Sequence, residues 1–248
     1  MTALELTLFG SPRLKIGGQD ITNKITGKAL ALFVYLAVTG QPQRRDVLAD
    51  LLWSEYSNQE ARNNLRYQLP DLRQVLGNYL LITTQTISFN SQSNYWLDVE
   101  VLRTSLDAEG QQFNAQSLQA ALDLYQAEFL AGFAVRNAPV FEAWMARQRE
   151  ALHQSAVQGF YTLAELYQQQ GDYRAALATT QRLLHWAPWH EAGYRLQMQL
   201  LVATGHRTAA LVQYTRCRGN LADELGVEPE ATTVALYEQI RRSHADQS

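Results

Sequence analysis

The sequence predicts a mainly α-helical chain with a small β component, and three observations predict it. Within the first hundred residues, short apolar runs alternate with period two, give way to helical spacing, and return to period two. Beyond Val99 the spacing is helical nearly to the end of the chain. Inside that second part, Gly171-Asp172-Tyr173-Arg174-Ala175-Ala176-Leu177 realigns onto Gly205-His206-Arg207-Thr208-Ala209-Ala210-Leu211. That offset is the period of helix-pair repeats of the tetratricopeptide kind. A length of 248 residues is comfortable for two domains, and the change of pattern divides them as 1–106 and 107–248.

At the N-terminus Leu4, Leu6 and Leu8 alternate with Glu5 and Thr7, the pattern of a half-buried strand. Leu14 and Ile16 continue it after Gly10-Ser11-Pro12, Gly17-Gly18 turns the chain, and a third short strand is expected over Asp20–Ile25. A helix from Gly27 to Thr39 follows, ended by Gly40 and Pro42. Arg44–Trp53 predicts a second helix that buries Val47, Leu48, Leu51 and Leu52.

The third helix, Ser57–Gly77, is the most informative. Ser57 and Glu60 have capping-box spacing, Gly77 is a C-terminal stop, and Leu65, Leu69, Leu72 and Leu76 form one apolar seam. Asn63, Tyr67, Pro70 and Gln74 point the other way, with Arg62, Arg66 and Arg73 along one flank. Proline in a helix interior removes a hydrogen bond and costs roughly 3 kcal/mol. A kink or break between Arg66 and Asp71 is therefore expected, leaving Arg62–Tyr67 to do most of any reading. Strands then return at Leu80–Thr84, Thr86–Phe89 and Tyr95–Leu97, with Asn90–Asn94 as the exposed turn. Two helices four residues apart are a helix-turn-helix, and a hairpin behind them is a wing. The first domain is thus expected to be a winged helix-turn-helix with an N-terminal sheet.

A Gly- and Gln-rich stretch, Asp107–Asn114, reads as a linker. Helices are expected at 116–130, 139–170 (with an interruption near His153–Gly159), 173–186, 190–204, 207–224 and 231–243. Small Ala176 and Ala210 let neighbouring helices approach closely.

Charge narrows the function. The net charge is −3, so no global basic field draws in nucleic acid. Residues 1–100 carry nine Lys/Arg and nine Asp/Glu, against twelve and fifteen in the remainder, so DNA, if bound, is bound by the first half. Arg62, Arg66 and Arg73 suit phosphates, and Asn63, Asn64, Tyr67 and Gln74 suit base edges or sugars. Arg44 and Arg45 are placed for backbone contact at the start of the preceding helix, and Asn90, Ser91 and Ser93 for the minor groove. Single Cys217 excludes an internal disulfide framework and, placed with Tyr214 and Leu221, reads as packing. The five tryptophans read as core, and His185 and His190 as satisfied or surface histidines. With no glycine-rich phosphate loop and no paired zinc histidines, neither an enzymatic site nor a cofactor or metal is expected. The start has no secretory pattern, and the longest apolar run, Ala29–Val38, is about half a membrane span. A cytoplasmic protein with no membrane partner is expected.

These residues resemble a known family. Leu6-Thr7-Leu8-Phe9-Gly10, Lys28-Ala29-Leu30, Arg45–Trp53 and Ala61-Arg62-Asn63-Asn64-Leu65-Arg66 with Leu72-Arg73 match in the first half. Leu124-Tyr125, Phe129–Phe133, Phe141–Trp144, Gly171-Asp172-Tyr173 and Glu224–Pro229 match in the second. Over residues 4–243 the chain is similar to transcriptional activators of the Streptomyces antibiotic regulatory protein (SARP) type. The resemblance implies an OmpR-like winged helix followed by a tetratricopeptide-like bacterial transcriptional activator domain. It further implies binding to direct repeats in double-stranded promoter DNA and contact with RNA polymerase holoenzyme. The helical half would then contact polymerase or pair subunits as a homodimer. The alternative is a helical-repeat interaction module with weak or lost DNA binding, such as a regulatory piece of a larger signalling ATPase.

Overall fold

The computed structural model describes residues 3–107 and 114–243. In chain order the elements are β1 (Leu4–Thr7), β2 (Arg13–Ile16), β3 (Gln19–Asp20), α1 (Gly27–Thr39), β4 (Gln43–Arg44), α2 (Arg45–Trp53) and α3 (Asn58–Leu76). Then come β5 (Leu80–Ile82), β6 (Thr86–Phe89), β7 (Tyr95–Leu97), α4 (Asp98–Leu106), α5 (Ala115–Leu122) and α6 (Pro139–Gln169). The series closes with α7 (Tyr173–Trp186), α8 (Glu191–Ala203), α9 (Arg207–Leu225) and α10 (Ala231–Arg242). The chain divides into two compact units, one of residues 1–107 and 123–153 and one of residues 108–122 and 154–248. Most of the linker stretch expected at Asp107–Asn114 lies outside the described residues.

The first unit holds two small sheets. One has the order β3-β2-β1-β7, antiparallel except for β7, which lies parallel to β1 with Leu6 opposite Leu97. The other has the order β4-β6-β5, with Leu80 opposite Phe89 in the β5–β6 hairpin. The alternation read in β1 is real: Leu4, Leu6 and Leu8 are fully buried. Asp98 ties the two ends of this architecture together. Its carboxylate accepts N–H bonds from Leu8 at 2.6 Å and Phe9 at 2.9 Å, just past β1, and from Val99 at 2.8 Å.

Four local expectations are corrected. The third strand is only Gln19–Asp20, because Thr22–Lys24 closes into a 3-10 turn whose Thr22 hydroxyl accepts the Leu14 N–H. Val47 is 45% exposed, and Ala49 takes the buried place expected of it. The helix expected over 116–130 stops at Leu122. Beyond it, Phe129 bridges Phe9 and the Leu130 N–H donates to the Leu8 carbonyl, with Leu130 at φ 52°. Finally, α6 runs unbroken through His153–Gly159.

The second unit is a stack of helices, and the repeat is visible in it. Gly171 and Gly205 both turn the chain with φ near 80° (78° and 80°). Ala176 and Ala210 are both fully buried, the first against Ala164, Leu196 and Leu200, the second against Met198 and Ile240. A larger side chain at either alanine would force those helices apart. Cys217 packs between Tyr194 and Leu221, and burial pushes its thiol up to about 12, so it remains protonated and inert. Tyr214 belongs instead to the neighbouring cluster, where its ring stacks on Tyr237 with centroids 4.1 Å apart. Trp53 and Trp144 are core residues as expected, whereas Trp96 and Trp189 are exposed.

Candidate nucleic-acid interface

The interface starts from α3, and the sequence explains why that helix forms. The Ser57 hydroxyl accepts the Glu60 N–H while the Glu60 carboxylate accepts the Ser57 N–H, so the capping box is complete. The Ser57 hydroxyl, donating to the Glu60 carboxylate at 2.7 Å, and then the Ser57 N–H hold the Glu60 carboxyl below its usual range. Ala61, Leu65, Leu69, Leu72 and Leu76 are buried. The helix is continuous through exposed Pro70, which corrects the expected break. The balance of magnitudes explains the continuity. Four leucines buried at roughly 1.5–3 kcal/mol each exceed the ~3 kcal/mol that one interior proline costs.

Opposite α3 stands the β5–β6 hairpin, whose tip is Thr83-Thr84-Gln85. Asn90–Asn94 is an exposed turn as expected, but it is not the tip of the wing. That loop carries the chain to β7 in the other sheet, and two of its side chains bond to nearby backbone. Asn90 donates to the Asn78 carbonyl at 2.9 Å, and Ser93 donates to the Asn90 carbonyl at 2.6 Å. The true tip is rigid, because the Thr83 hydroxyl accepts the N–H groups of Gln85 and Thr86 at 3.2 and 2.9 Å. Arg45 braces it from α2: its backbone N–H donates to the Gln85 carbonyl and its Nε to the Thr83 carbonyl, both at 3.1 Å.

Between α3, the start of α2 and this tip lies a cleft of about 740 Å³. Arg44, Arg45, Arg62 and Arg66 line it, together with Asp46, Asn63 and Thr84-Gln85-Thr86. Four guanidinium groups face one carboxylate, so the cleft is locally cationic in a chain of negative net charge. Asp46 pairs with Arg62 at 3.0 Å and with Arg44 at 3.5 Å. A second hollow of about 560 Å³ shares Arg45 and Arg66 and adds Arg73, Gln74 and Pro70. Seven of the nine residues expected to touch DNA from the start of α2 and from α3 therefore line two adjoining hollows. Asn64 and Tyr67 line a separate one, with Lys28, Trp53 and Tyr56. There the Lys28 ammonium donates to the carbonyls of Leu52 at 2.6 Å and Asn137 at 3.0 Å, and burial pulls its pKa down.

Sequence reasoning missed Asp46 and the threonine-glutamine tip. The signal for the tip was present, as the polar run Thr83-Thr84-Gln85-Thr86 between apolar Leu80–Ile82 and Ile87. In the second unit His190 caps α8, its Nδ1 accepting the Gly193 N–H at 3.0 Å. Among the described residues no cluster of three or more His, Cys, Asp or Glu side chains could hold a metal ion, and no helix is long and apolar enough to cross a membrane.

Comparison with known proteins completes the picture. The family model described as the bacterial transcriptional activator domain matches residues 97–241, well over half of the chain. The chain belongs to this family. It is 26% identical over 252 residues to the regulatory protein AfsR of Streptomyces griseus, covering 97% of this chain and 25% of that one. With AfsR of Streptomyces coelicolor the identity is 26% over 246 residues, 96% of this chain and 24% of the other. The chain thus spans about a quarter of the length of these relatives. In fold it is similar to Mycobacterium tuberculosis EmbR, solved in complex with a low-affinity phosphopeptide. The TM-score is 0.72 at 22% identity, covering 98% of this chain and 66% of that one. The resemblance to SARP-type transcriptional activators stands, as does the mainly α fold with a winged helix ahead of tetratricopeptide-like helices.

Proposed function

We propose that this chain is a sequence-specific activator of transcription, with its winged helix on double-stranded promoter DNA and its helical half recruiting RNA polymerase holoenzyme. The observation that carries the DNA half of this reading is the four-arginine cleft between α3 and the hairpin tip. A buried leucine seam fixes α3 in the unit while its polar face stays open, and the hairpin offers hydroxyl and amide groups beside it. In this reading residues 1–106 bind direct repeats near a promoter, and residues 107–248 form the activating half in the cytoplasm. Family membership supports a role in transcription.

The test is a gel shift of the full chain against the DNA upstream of its own coding region, titrated with salt. Three phosphate contacts, by Arg44, Arg45 and Arg66, predict that log affinity falls with log salt at a slope of roughly −3, with upstream DNA preferred over random duplex. Equal affinity for random duplex at moderate salt would favour the interaction-module alternative.

A further inference from the structure

Arg62 stands in the second turn of α3, the part of a recognition helix that meets base edges in the major groove. Its Nε lies 3.0 Å from Asp46 Oδ1, an ion pair made on the Nε side of the guanidinium. Among the described residues it makes no other bond to protein, so its two Nη groups stay open on a side chain 55% exposed to solvent. Asp46 belongs to the first turn of α2, a separate element, so the contact orients Arg62 from outside its own helix. The longer contact of Asp46 with Arg44, at 3.5 Å, leaves that 76% exposed side chain loosely held.

Two consequences follow from the chemistry. A guanidinium paired on its Nε side turns its Nη edge outward as a fork, matching either two phosphate oxygens or guanine O6 and N7. The neighbouring carboxylate offsets part of the charge that would draw the fork to a phosphate, while leaving its donors free. A base edge carries only partial charges and is penalised far less. We propose that Asp46 is a positioning residue that makes Arg62 a reader of one guanine in the major groove, in contrast to the phosphate-binding Arg44 and Arg66. This rests on the DNA-binding reading above. It differs from a purely local role of Asp46, that of an acid at the start of α2, which would affect helix stability and leave base preference alone.

The test is selection from randomised duplexes by the full chain and by three variants: Asp46→Asn, Asp46→Glu and Arg62→Lys. Each variant is also melted thermally and titrated with salt on random duplex. The wild type should favour guanine at one position by on the order of tenfold or more. Arg62→Lys and Asp46→Asn should lose that preference at the same position, to within about threefold, while Asp46→Glu retains it. Asp46→Asn should also bind random duplex more tightly, roughly threefold, because a carboxylate near the phosphates is gone. If Asp46→Asn melts early, the contrast between Arg62→Lys and Asp46→Glu decides. An unchanged motif with Asp46→Asn, or a guanine preference surviving Arg62→Lys, overturns the proposal while DNA binding stands. A wild type that enriches no motif overturns both readings.

Discussion

Asp98 is 1% exposed, and its carboxylate is the acceptor for three backbone amides, those of Leu8, Phe9 and Val99. Replacing it with alanine leaves these donors in the interior without their carboxylate acceptor. An unsatisfied buried donor costs about 1–3 kcal/mol. After partial relaxation the three amount to roughly 3–6 kcal/mol, against a total of about 5–15 kcal/mol for a typical folded domain. Asp98→Asn preserves volume and one acceptor oxygen but turns an amide N–H₂ toward backbone donors, so its cost should be intermediate. The assay is urea unfolding of the full chain followed by the fluorescence of Trp53 and Trp144, both buried in the first unit. It is paired with hydrogen exchange at the Leu8 and Phe9 amides. The reasoning is refuted if Asp98→Ala loses less than about 1 kcal/mol and those amides stay protected.

Three further outcomes are expected. Pro70→Ala should stabilise the first unit by about 1–3 kcal/mol, because the helix already runs through that position; an unchanged unfolding midpoint would show that the proline costs nothing there. Gly193→Ala should destabilise the second unit despite its better helix propensity, by about 1 kcal/mol net. An added Cβ would lie 2.7 Å from Leu183 Cδ2 and 3.1 Å from His190 Nδ1, and differential scanning calorimetry would detect the loss. Burial holds His190 below its ordinary 6.5, so the unfolded chain binds a proton there more readily than the native state. The stability His190 contributes is therefore complete above pH 6.5 and is lost as pH falls below it, and Asn at this cap should flatten the decline in thermal melts.

What the sequence made legible was local. The capping box of α3, its leucine seam and the 34-residue realignment each lie within one or two helices, where spacing alone places side chains on a face. What it hid was set at a distance. The Asn90–Asn94 run has the composition of a hairpin tip, but β7 pairs with β1, some ninety residues earlier, and that partnership removes the loop from the wing. The helix after Ala115 stops at Leu122, while further along the chain Phe129 and Leu130 are claimed by Phe9 and Leu8, again far off in sequence. Pro70 erred in the opposite direction, a strong local signal outweighed by buried leucines around it. At the site, the arginines could be read as a flank of α3. Asp46 could not be read as their partner, because the pairing depends on how α2 lies against α3.

The most direct test of the central claim is the salt dependence of DNA binding by the full chain and by the double variant Arg44→Ala, Arg66→Ala. Both side chains line the cleft, and neither braces the hairpin as Arg45 does. If the cleft holds duplex DNA, the variant stays folded, binds more weakly, and shows a log–log slope shallower by about 1.8. A folded variant with the wild-type affinity and slope would mean that DNA, if it is bound at all, is bound elsewhere.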